Sequence, residues 1–517
     1  MPEKTILNPV KNCLTIAQVT HTGLLIDGRD YYRAFYHAAR AAERYILLSG
    51  WQFDSNVALL RGEEAQAAGE EVRLLPFLNS LCENKPELRI FMLAWDFSMI
   101  YGLDREWFQE LYFNWTTNER LRFCFDPCGS FDASHHQKFV VIDGQLAFAG
   151  GLDICAARWD ERDHAVQNPH RIEAGGAPYR SFHDLQSYHR GPLALELAEL
   201  FKARWKVACS EDVELPSQPD GGAIEIEPTL SLAATQVAIS RTQTEASCSD
   251  KAAFEIRALF VDAVSAAERL IYIENQYFSS EALFDALAAR MKRQKRPKLE
   301  IVLMIAKDAE AFLEQLSIGI VQSRLIRQLR AIAKDTGHRL GIYYPTSVNA
   351  DGEELETYIH SKLLLVDDCF LTVGSANMNN RSLGYDTELN VSWEGREGDD
   401  LSGSIRDARI NLLAEHTGLE LEACRKLRIR GLVRKLNRLA DSGTTRLRHH
   451  PQRSSSEEYH WLTSIFPDGL PFDPQGPVAA ASDSDEPPNS EFSFFARGIT
   501  GLKNWLKIVS SSSAETA

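Results

Sequence analysis

Four sequence blocks occur twice in this chain of 517 residues, in the same order each time. Each block is an apolar run of strand length, rich in β-branched and aromatic residues. The matched pairs are RYILLSGWQF from Arg44 with RLIYIENQYF from Arg269, PELRIFMLAW from Pro86 with PKLEIVLMIA from Pro297, RLRFCFDP from Arg120 with RLGIYYPT from Arg339, and HQKFVVIDGQLAFAGGLD from His136 with HSKLLLVDDCFLTVGSAN from His360. An ordered repeat of this length predicts two copies of one structural unit.

Helical patterns lie between these strand-like blocks in both copies. They cover 31–45, 106–120 and 193–207 in the first copy, and 251–268, 282–293 and 317–334 in the second. The last is the clearest, because its apolar residues recur at helical intervals. Alternating strands and helices predict the α/β class, here two repeated α/β sandwich units with mixed β-sheets packed around one shared active site.

Composition suggests the boundaries of these units. The first unit is expected over 1–220, with its motif at 136–153, and the second over 221–440, with its motif at 360–377 and helices appended from 401 to 439. Residues 441–517 begin as a Ser-, Pro- and Asp-rich linker. Apolar residues within 495–509 then step along one helical face, which predicts an amphipathic tail helix lying in a membrane interface or, alternatively, packed onto the catalytic body.

Charge and hydropathy exclude several classes of protein. The formal charge is −16, from 56 Lys and Arg against 72 Asp and Glu, and such a surface repels a nucleic-acid backbone. No window approaches the ~18–20 uninterrupted apolar residues of a membrane span, and the N-terminus lacks the apolar stretch of a signal peptide. We therefore expect no nucleic-acid partner and a cytoplasmic or peripheral membrane protein.

The chain has nine cysteines, so at least one is unpaired. Cys124 and Cys128 form a C-x3-C spacing with no second Cys or His pair at zinc-finger distance. We interpret both as buried, small apolar side chains and expect a reducing compartment.

The fourth block carries the chemistry, because each copy contains H-x-K-x4-D followed by six residues and a glycine. The repeated residues are His136, Lys138, Asp143 and Gly150 in the first copy and His360, Lys362, Asp367 and Gly374 in the second. Residues two apart on a strand share a face, so each His and its Lys project toward one spot. The glycines let backbone approach a ligand, and Asp153 and Asn377 follow as further polar groups. The alternative is that Asp and Gly only close a hairpin.

Two His and two Lys brought together by pseudo-twofold symmetry make a site for a phosphate oxyanion. One imidazole would act as nucleophile and the other as general acid. Because Lys supplies the positive charge and no carboxylate cluster is evident, no metal and no cofactor are expected.

The blocks resemble the duplicated motif of the phospholipase D superfamily, and their surroundings resemble its eukaryotic-type phospholipases D. The segments that carry the resemblance are HHQKFVVID and GGLDICAARWD from His135, FHDLQSYHRGP from Phe182, IYIENQYF from Ile271 and NRSLGYDTELNV from Asn380. The match runs from about residue 40 to residue 420 and implies a phospholipase D-like fold.

The resemblance also implies roles for individual residues. His136 is expected to form a phosphohistidine and His360 to protonate the leaving alcohol. Lys138, Lys362 and Asn377, and by weaker analogy Asp153, would bind the phosphate oxygens. Asp184 and Glu388 are the candidates for fixing the tautomers of the two imidazoles, with surface carboxylates at strand ends as the alternative. Asp143 and Asp367 are expected to order loops.

The function implied is hydrolysis of glycerophospholipids at a membrane surface to phosphatidic acid and a free alcohol, with transphosphatidylation onto added alcohols. The alternative within the superfamily is a cardiolipin synthase-like phosphatidyltransferase. A nuclease is disfavoured by charge, and a non-catalytic membrane-binding scaffold is disfavoured by the intact His and Lys in both copies. The sequence leaves the head group and the oligomeric state open.

Overall fold

A computed structural model describes residues 5–96, 109–127, 133–219, 224–245, 251–308, 312–349 and 351–451. The proposed tail helix at 495–509, Cys128 and residues 106–108 lie outside these ranges.

The strands are β1 (Thr15–Gln18), β2 (His21–Ile26), β3 (Tyr45–Gly50), β4 (Arg89–Trp95), β5 (Leu121–Asp126), β6 (Phe139–Ile142), β7 (Leu146–Gly150), β8 (Phe182–His183), β9 (Leu185–Arg190), β10 (Leu230–Leu232), β11 (Gln236–Gln243), β12 (Ala253–Phe254), β13 (Leu270–Asn275), β14 (Glu300–Ile305), β15 (Arg339–Val348), β16 (Glu354–Glu356), β17 (Tyr358–Ile359), β18 (Leu363–Val366), β19 (Phe370–Gly374), β20 (Glu388–Glu394) and β21 (Leu447–His449). The helices are α1 (Asp27–Ala41), α2 (Gly62–Ala68), α3 (Leu74–Asn84), α4 (Gln109–Trp115), α5 (Leu193–Cys209), α6 (Glu255–Ala266), α7 (Glu281–Lys292), α8 (Phe312–Thr336), α9 (Asn380–Gly384), α10 (Asp400–Thr417), α11 (Leu421–Arg425) and α12 (Leu432–Ser442).

Two large sheets repeat one strand order. Neighbouring strands run β9-β7-β6-β3-β4-β5 in the first sheet and β20-β19-β18-β13-β14-β15 in the second. In each sheet the last three strands are parallel and the others pair antiparallel. The predicted class of two repeated α/β units with mixed sheets is therefore confirmed.

The two sheets exchange edge strands. β1, at the start of the chain, pairs with β11 in the second sheet, and β10, beyond residue 220, pairs with β2 in the first. β21 pairs with β15 and extends the second sheet past residue 440. Divisions at residues 220 and 440 therefore do not follow the sheets.

In the described part of the chain, the three largest apolar clusters are one shared core and two outer ones. The shared core contains side chains from both sheets, such as Val141 and Val391, together with faces of α5 and α10. The outer cores pack α1 and α3 on the first sheet and α6, α7 and α8 on the second. The two halves are thus fastened to each other through a continuous apolar core.

Cys124 of β5 forms a disulfide with Cys209, the last residue of α5. The expectation that Cys124 is an unpaired apolar residue is therefore wrong, because α5 packs along β5 and brings together thiols 85 residues apart. The expectation of a reducing compartment loses that support.

Among the helices of the described part, none combines the length and apolar character that a bilayer crossing requires.

Candidate active site

Each predicted histidine is held by the backbone of the other half of the chain. The N–H of His136 donates to the Thr387 carbonyl at 3.0 Å, and the N–H of His360 donates to the His183 carbonyl at 2.8 Å. Short parallel pairings flank both contacts, between His135 and Thr387 and between β17 and β8. The segments that carry the two motifs therefore meet where the two halves of the chain pair with each other.

The same pairing of the halves gives each imidazole a carboxylate from the opposite half. His136 Nδ1 lies 2.9 Å and 3.0 Å from the two Glu388 oxygens. His360 Nδ1 lies 2.5 Å from Asp184 Oδ2. Glu388 and Asp184 are fully buried, so the reading of them as surface carboxylates does not fit the structure. The geometry places both in position to fix the imidazole tautomers.

The two lysines are also buried, and each has a polar partner beside it. Lys138 Nζ lies 2.9 Å from Asp153 Oδ2, and the other oxygen of Asp153 accepts from the Trp51 N–H. Lys362 Nζ donates to Gln276 Oε1 at 3.3 Å and lies 3.0 Å from His360 Nδ1. Asp153 is thus placed to position Lys138, and its contact with the substrate phosphate stays a prediction.

Asn377 reaches the second lysine through a shared partner that the sequence analysis did not single out. Its Nδ2 donates to Gln276 Oε1 at 3.3 Å. The hydroxyl of Ser375 donates to Glu388 at 2.5 Å and orients that carboxylate. Gln276 lies in the IYIENQYF segment and Ser375 in the second motif. Local sequence does not indicate their partners, because the fold brings these side chains together.

Burial dominates the electrostatics of the site. It lowers the pKa of His136 and of His360 well below the usual range, and lysines of both halves add to this effect on each imidazole. Burial also raises the pKa of Glu388 to about 8 and that of Asp184 to about 6. It lowers the pKa of Lys362 to about 7. The charged groups of each motif therefore also affect the pKa of the histidine in the other motif.

Asp143 and Asp367 lie at hairpin turns and bind backbone. Asp143 accepts from the N–H groups of residues 43 to 45, at 2.7 to 2.8 Å. Asp367 accepts from those of residues 268 to 270, each at 2.7 Å. Each carboxylate fixes the start of the neighbouring strand, β3 or β13, in keeping with the ordering of loops expected for it.

Only glycine fits at the ends of β7 and β19, because a side chain there would overlap neighbouring protein atoms. A methyl group on Gly151 would overlap Asp184 Oδ1, and one on Gly374 would overlap Asn390 Oδ1. From sequence, the small residues after these strands are expected to let backbone approach a ligand. The structure shows that they make room for buried polar side chains, including the carboxylate that holds His360.

Comparisons with known proteins identify sequences similar to this chain. The model described as "Phospholipase D" matches residues 120–322, and the one described as "Cardiolipin synthase, PLD-like domain" matches residues 260–403. Phospholipase D alpha 1 of Cynara cardunculus is 22% identical over 556 positions, covering 80% of this chain and 68% of that protein. Phospholipase D A of Dictyostelium discoideum is 25% identical over 466 positions, covering 77% of this chain and 35% of that protein.

A solved structure shares the fold. Phosphatidylserine synthase of Haemophilus influenzae Rd KW20 superposes with a TM-score of 0.51 at 12% identity, covering 83% of this chain and 94% of that one. The fold and site define a class of α/β proteins in which duplicated His–Lys motifs meet at one centre. The chain belongs to the phospholipase D superfamily, and its resemblance to the eukaryotic-type members is confirmed.

Proposed function

We propose that the protein is a phospholipase D that works at phospholipid surfaces. It would hydrolyse the distal phosphodiester bond of glycerophospholipids to phosphatidic acid and a free alcohol. The observation that carries the proposal is the reciprocal pairing of His136 with Glu388 and of His360 with Asp184, with a lysine beside each imidazole. The relatives named phospholipase D support it.

The reaction would proceed in two displacements. In the first, an imidazole nitrogen attacks phosphorus, a phosphorus–nitrogen bond forms, and the bond to the head-group alcohol breaks while the other imidazole donates a proton to the leaving oxygen. In the second, the now deprotonated acid takes a proton from water, whose oxygen attacks phosphorus and displaces the histidine. Lys138, Lys362 and Asn377 would donate hydrogen bonds to the phosphate oxygens as negative charge shifts onto them.

The carboxyl partners bear on which histidine attacks. At neutral pH a carboxyl with a pKa of about 6, as in Asp184, is ionised, and one with a pKa of about 8, as in Glu388, is protonated. The pair of His360 and ionised Asp184 then has an unprotonated imidazole nitrogen for attack. The pair of His136 and protonated Glu388 keeps the proton that a general acid needs. This order favours His360 as nucleophile, the reverse of the assignment made from sequence.

Product analysis tests the proposed function. The purified protein should convert phosphatidylcholine vesicles to phosphatidic acid and choline, and added ethanol should divert product into phosphatidylethanol, because alcohol and water compete for one intermediate. His136→Ala protein is the control for contaminating activity. If no phosphatidic acid or phosphatidylethanol forms from any common glycerophospholipid, the proposal fails.

A phosphatidyltransferase is the second candidate. The similarity to phosphatidylserine synthase and the match to the cardiolipin synthase model favour it. The first displacement would be the same, and a lipid or amino-alcohol acceptor would replace water in the second. Phosphatidylglycerol or serine, offered in place of ethanol, separates the candidates: a transferase yields cardiolipin or phosphatidylserine with little phosphatidic acid.

Replacement of Gly151 should impair catalysis without touching a reacting group. In Gly151→Ala the new methyl group displaces the Asp184 carboxylate from His360, and a misplacement near 1 Å costs about a hundredfold in kcat. Gly175→Ala is the matched control, because a methyl group there meets nothing within 4 Å. A folded Gly151→Ala protein with the kcat of wild type would contradict this account of Asp184.

A further inference from the structure

A second set of ionisable side chains lies beside the site but takes no part in the proposed reaction. Asp27 at the start of α1, His164, His183 of β8 and Glu415 of α10 come from both halves of the chain. All four are buried, and one potential ligand atom from each lies within 4.8 Å of the others. We refer to these four residues as the buried His–carboxylate cluster.

The four ligand atoms face one another. His183 Nδ1 lies 2.9 Å from Asp27 Oδ1 and 2.5 Å from Glu415 Oε1, whereas His164 Nε2 lies 3.3 Å from Glu415 Oε1 and 3.5 Å from Asp27 Oδ2. His183 Nδ1 and Asp27 Oδ2 nevertheless make no well-directed hydrogen bond, although both atoms are fully buried. Two fully buried polar atoms are therefore aimed into one small space without satisfying each other.

The opposite nitrogen of each imidazole is held by a further carboxylate. His164 Nδ1 lies 3.0 Å from Asp160 Oδ2, and His183 Nε2 lies 3.0 Å from Glu274 Oε2. Metal-binding histidines are usually fixed in this way, by an outer carboxylate that accepts from the other ring nitrogen. The arrangement leaves His164 Nε2 and His183 Nδ1 facing the centre of the cluster, where a bound cation would take the place of their protons.

The charges leave room for a dication. Four carboxylates lie in the cluster or directly against it: Asp27, Asp160, Glu274 and Glu415. Two guanidinium groups, those of Arg162 and Arg171, pair with them, which leaves an excess of two negative charges. Two protonated imidazoles or one divalent cation bound to two neutral imidazoles would each balance this excess. The neighbouring group around Glu274 is less open, because its oxygens already accept from Tyr272, Ser361 and two histidines.

We propose that Asp27, His164, His183 and Glu415 form a divalent transition-metal site, with Zn²⁺ as its representative ion. Two imidazole nitrogens and two carboxylate oxygens are a ligand set that suits four-coordinate zinc. With four protein ligands the coordination is closed, so the ion is structural and joins the two halves. Its binding would release the protons of the imidazoles to solvent. The ligand His183 precedes Asp184, so the ion would also steady the partner of His360.

Metal analysis of the full chain tests the site apart from any activity. Wild-type protein incubated with Zn²⁺ and then desalted should retain about one zinc per chain, with X-ray absorption showing only nitrogen and oxygen neighbours at about 2.0–2.1 Å. His164→Gln and Glu415→Gln should lose that zinc, whereas His449→Gln, at an exposed histidine of β21, should keep it.

Each outcome bears on the proposal. If folded wild-type protein retains no zinc, the cluster is an ion-pair network of protonated histidines and the site is overturned. Zinc bound through sulfur, or retained in full by both variants, overturns it as well. If the variants do not fold, Co²⁺-loaded wild type decides: tetrahedral ligand-field bands support the site, and their absence contradicts it. A protein that binds zinc yet cleaves no phospholipid would refute only the proposed function.

Discussion

His136→Ala and His360→Ala should each lower kcat on phosphatidylcholine by about a thousandfold or more, and the double variant should lose little beyond either single one. The two imidazoles act in the same displacement, so removing either disables the whole step and the losses do not add. Steady-state rates of the three purified variants, measured on one vesicle preparation, give the comparison.

His449→Ala provides the control, since this histidine is exposed and pairs with Asp441 away from the two motifs. Near wild-type rates are expected for it. Substantial turnover in either single variant, or losses that multiply in the double variant, would mean that the two halves work as separate sites.

Replacing the buried carboxyl partners should cost about a hundredfold in kcat and alter its pH dependence. Asp184→Asn and Glu388→Gln keep the volume but replace one carboxyl oxygen by an amide NH2, which can donate to the imidazole nitrogen and so makes the wrong tautomer available. Exposed Asp212 offers a control in Asp212→Asn. Wild-type rates in both folded variants would refute the role given to these carboxyl groups.

The pH profile follows from the pKa values of the same two groups. One His–carboxyl pair must lose a proton before its imidazole can attack, and the other pair must keep a proton to act as acid. Wild-type activity should therefore rise through about pH 6 and fall through about pH 8. Asp184→Asn should move the acidic limb and Glu388→Gln the alkaline limb. Either assignment of nucleophile gives the same bell shape, so the profile tests the pairs and not the roles.

The sequence repeat was sufficient to predict the fold class because each block is a strand whose neighbours recur in the same order in the second copy. The His–Lys spacing likewise predicted that each His lies beside its Lys, since residues two apart on a strand share a face. Asp184 and Glu388 came from the resemblance, and their buried positions against the opposite histidines could not be read from local sequence.

What the sequence missed depends on long-range contacts. The exchange of β1 and β10 between sheets and the bond from Cys124 to Cys209 join segments whose local patterns carry no sign of their partners. The helices expected from 401 to 439 are α10, α11 and α12, and Gly431 adopts a positive φ of 86° directly before α12. Gln276 has no distinguishing pattern and is defined only by its contacts with Lys362 and Asn377.

Trapping the covalent intermediate tests the central claim, that both halves serve one site working through a phosphohistidine. Phosphatidyl-p-nitrophenol is the suitable substrate, because its leaving group needs no proton and the loss of the acid then blocks only the second displacement. His136→Asn and His360→Asn proteins would be mixed with it, quenched at alkaline pH, digested and analysed by mass spectrometry. We expect a phosphatidyl adduct on the remaining histidine in one variant only. If the carboxyl pKa values decide the roles, the adduct forms on His360 in His136→Asn. If the assignment from sequence holds, it forms on His136 in His360→Asn. No adduct in either variant while wild type turns over, or an adduct on any other residue, would contradict it.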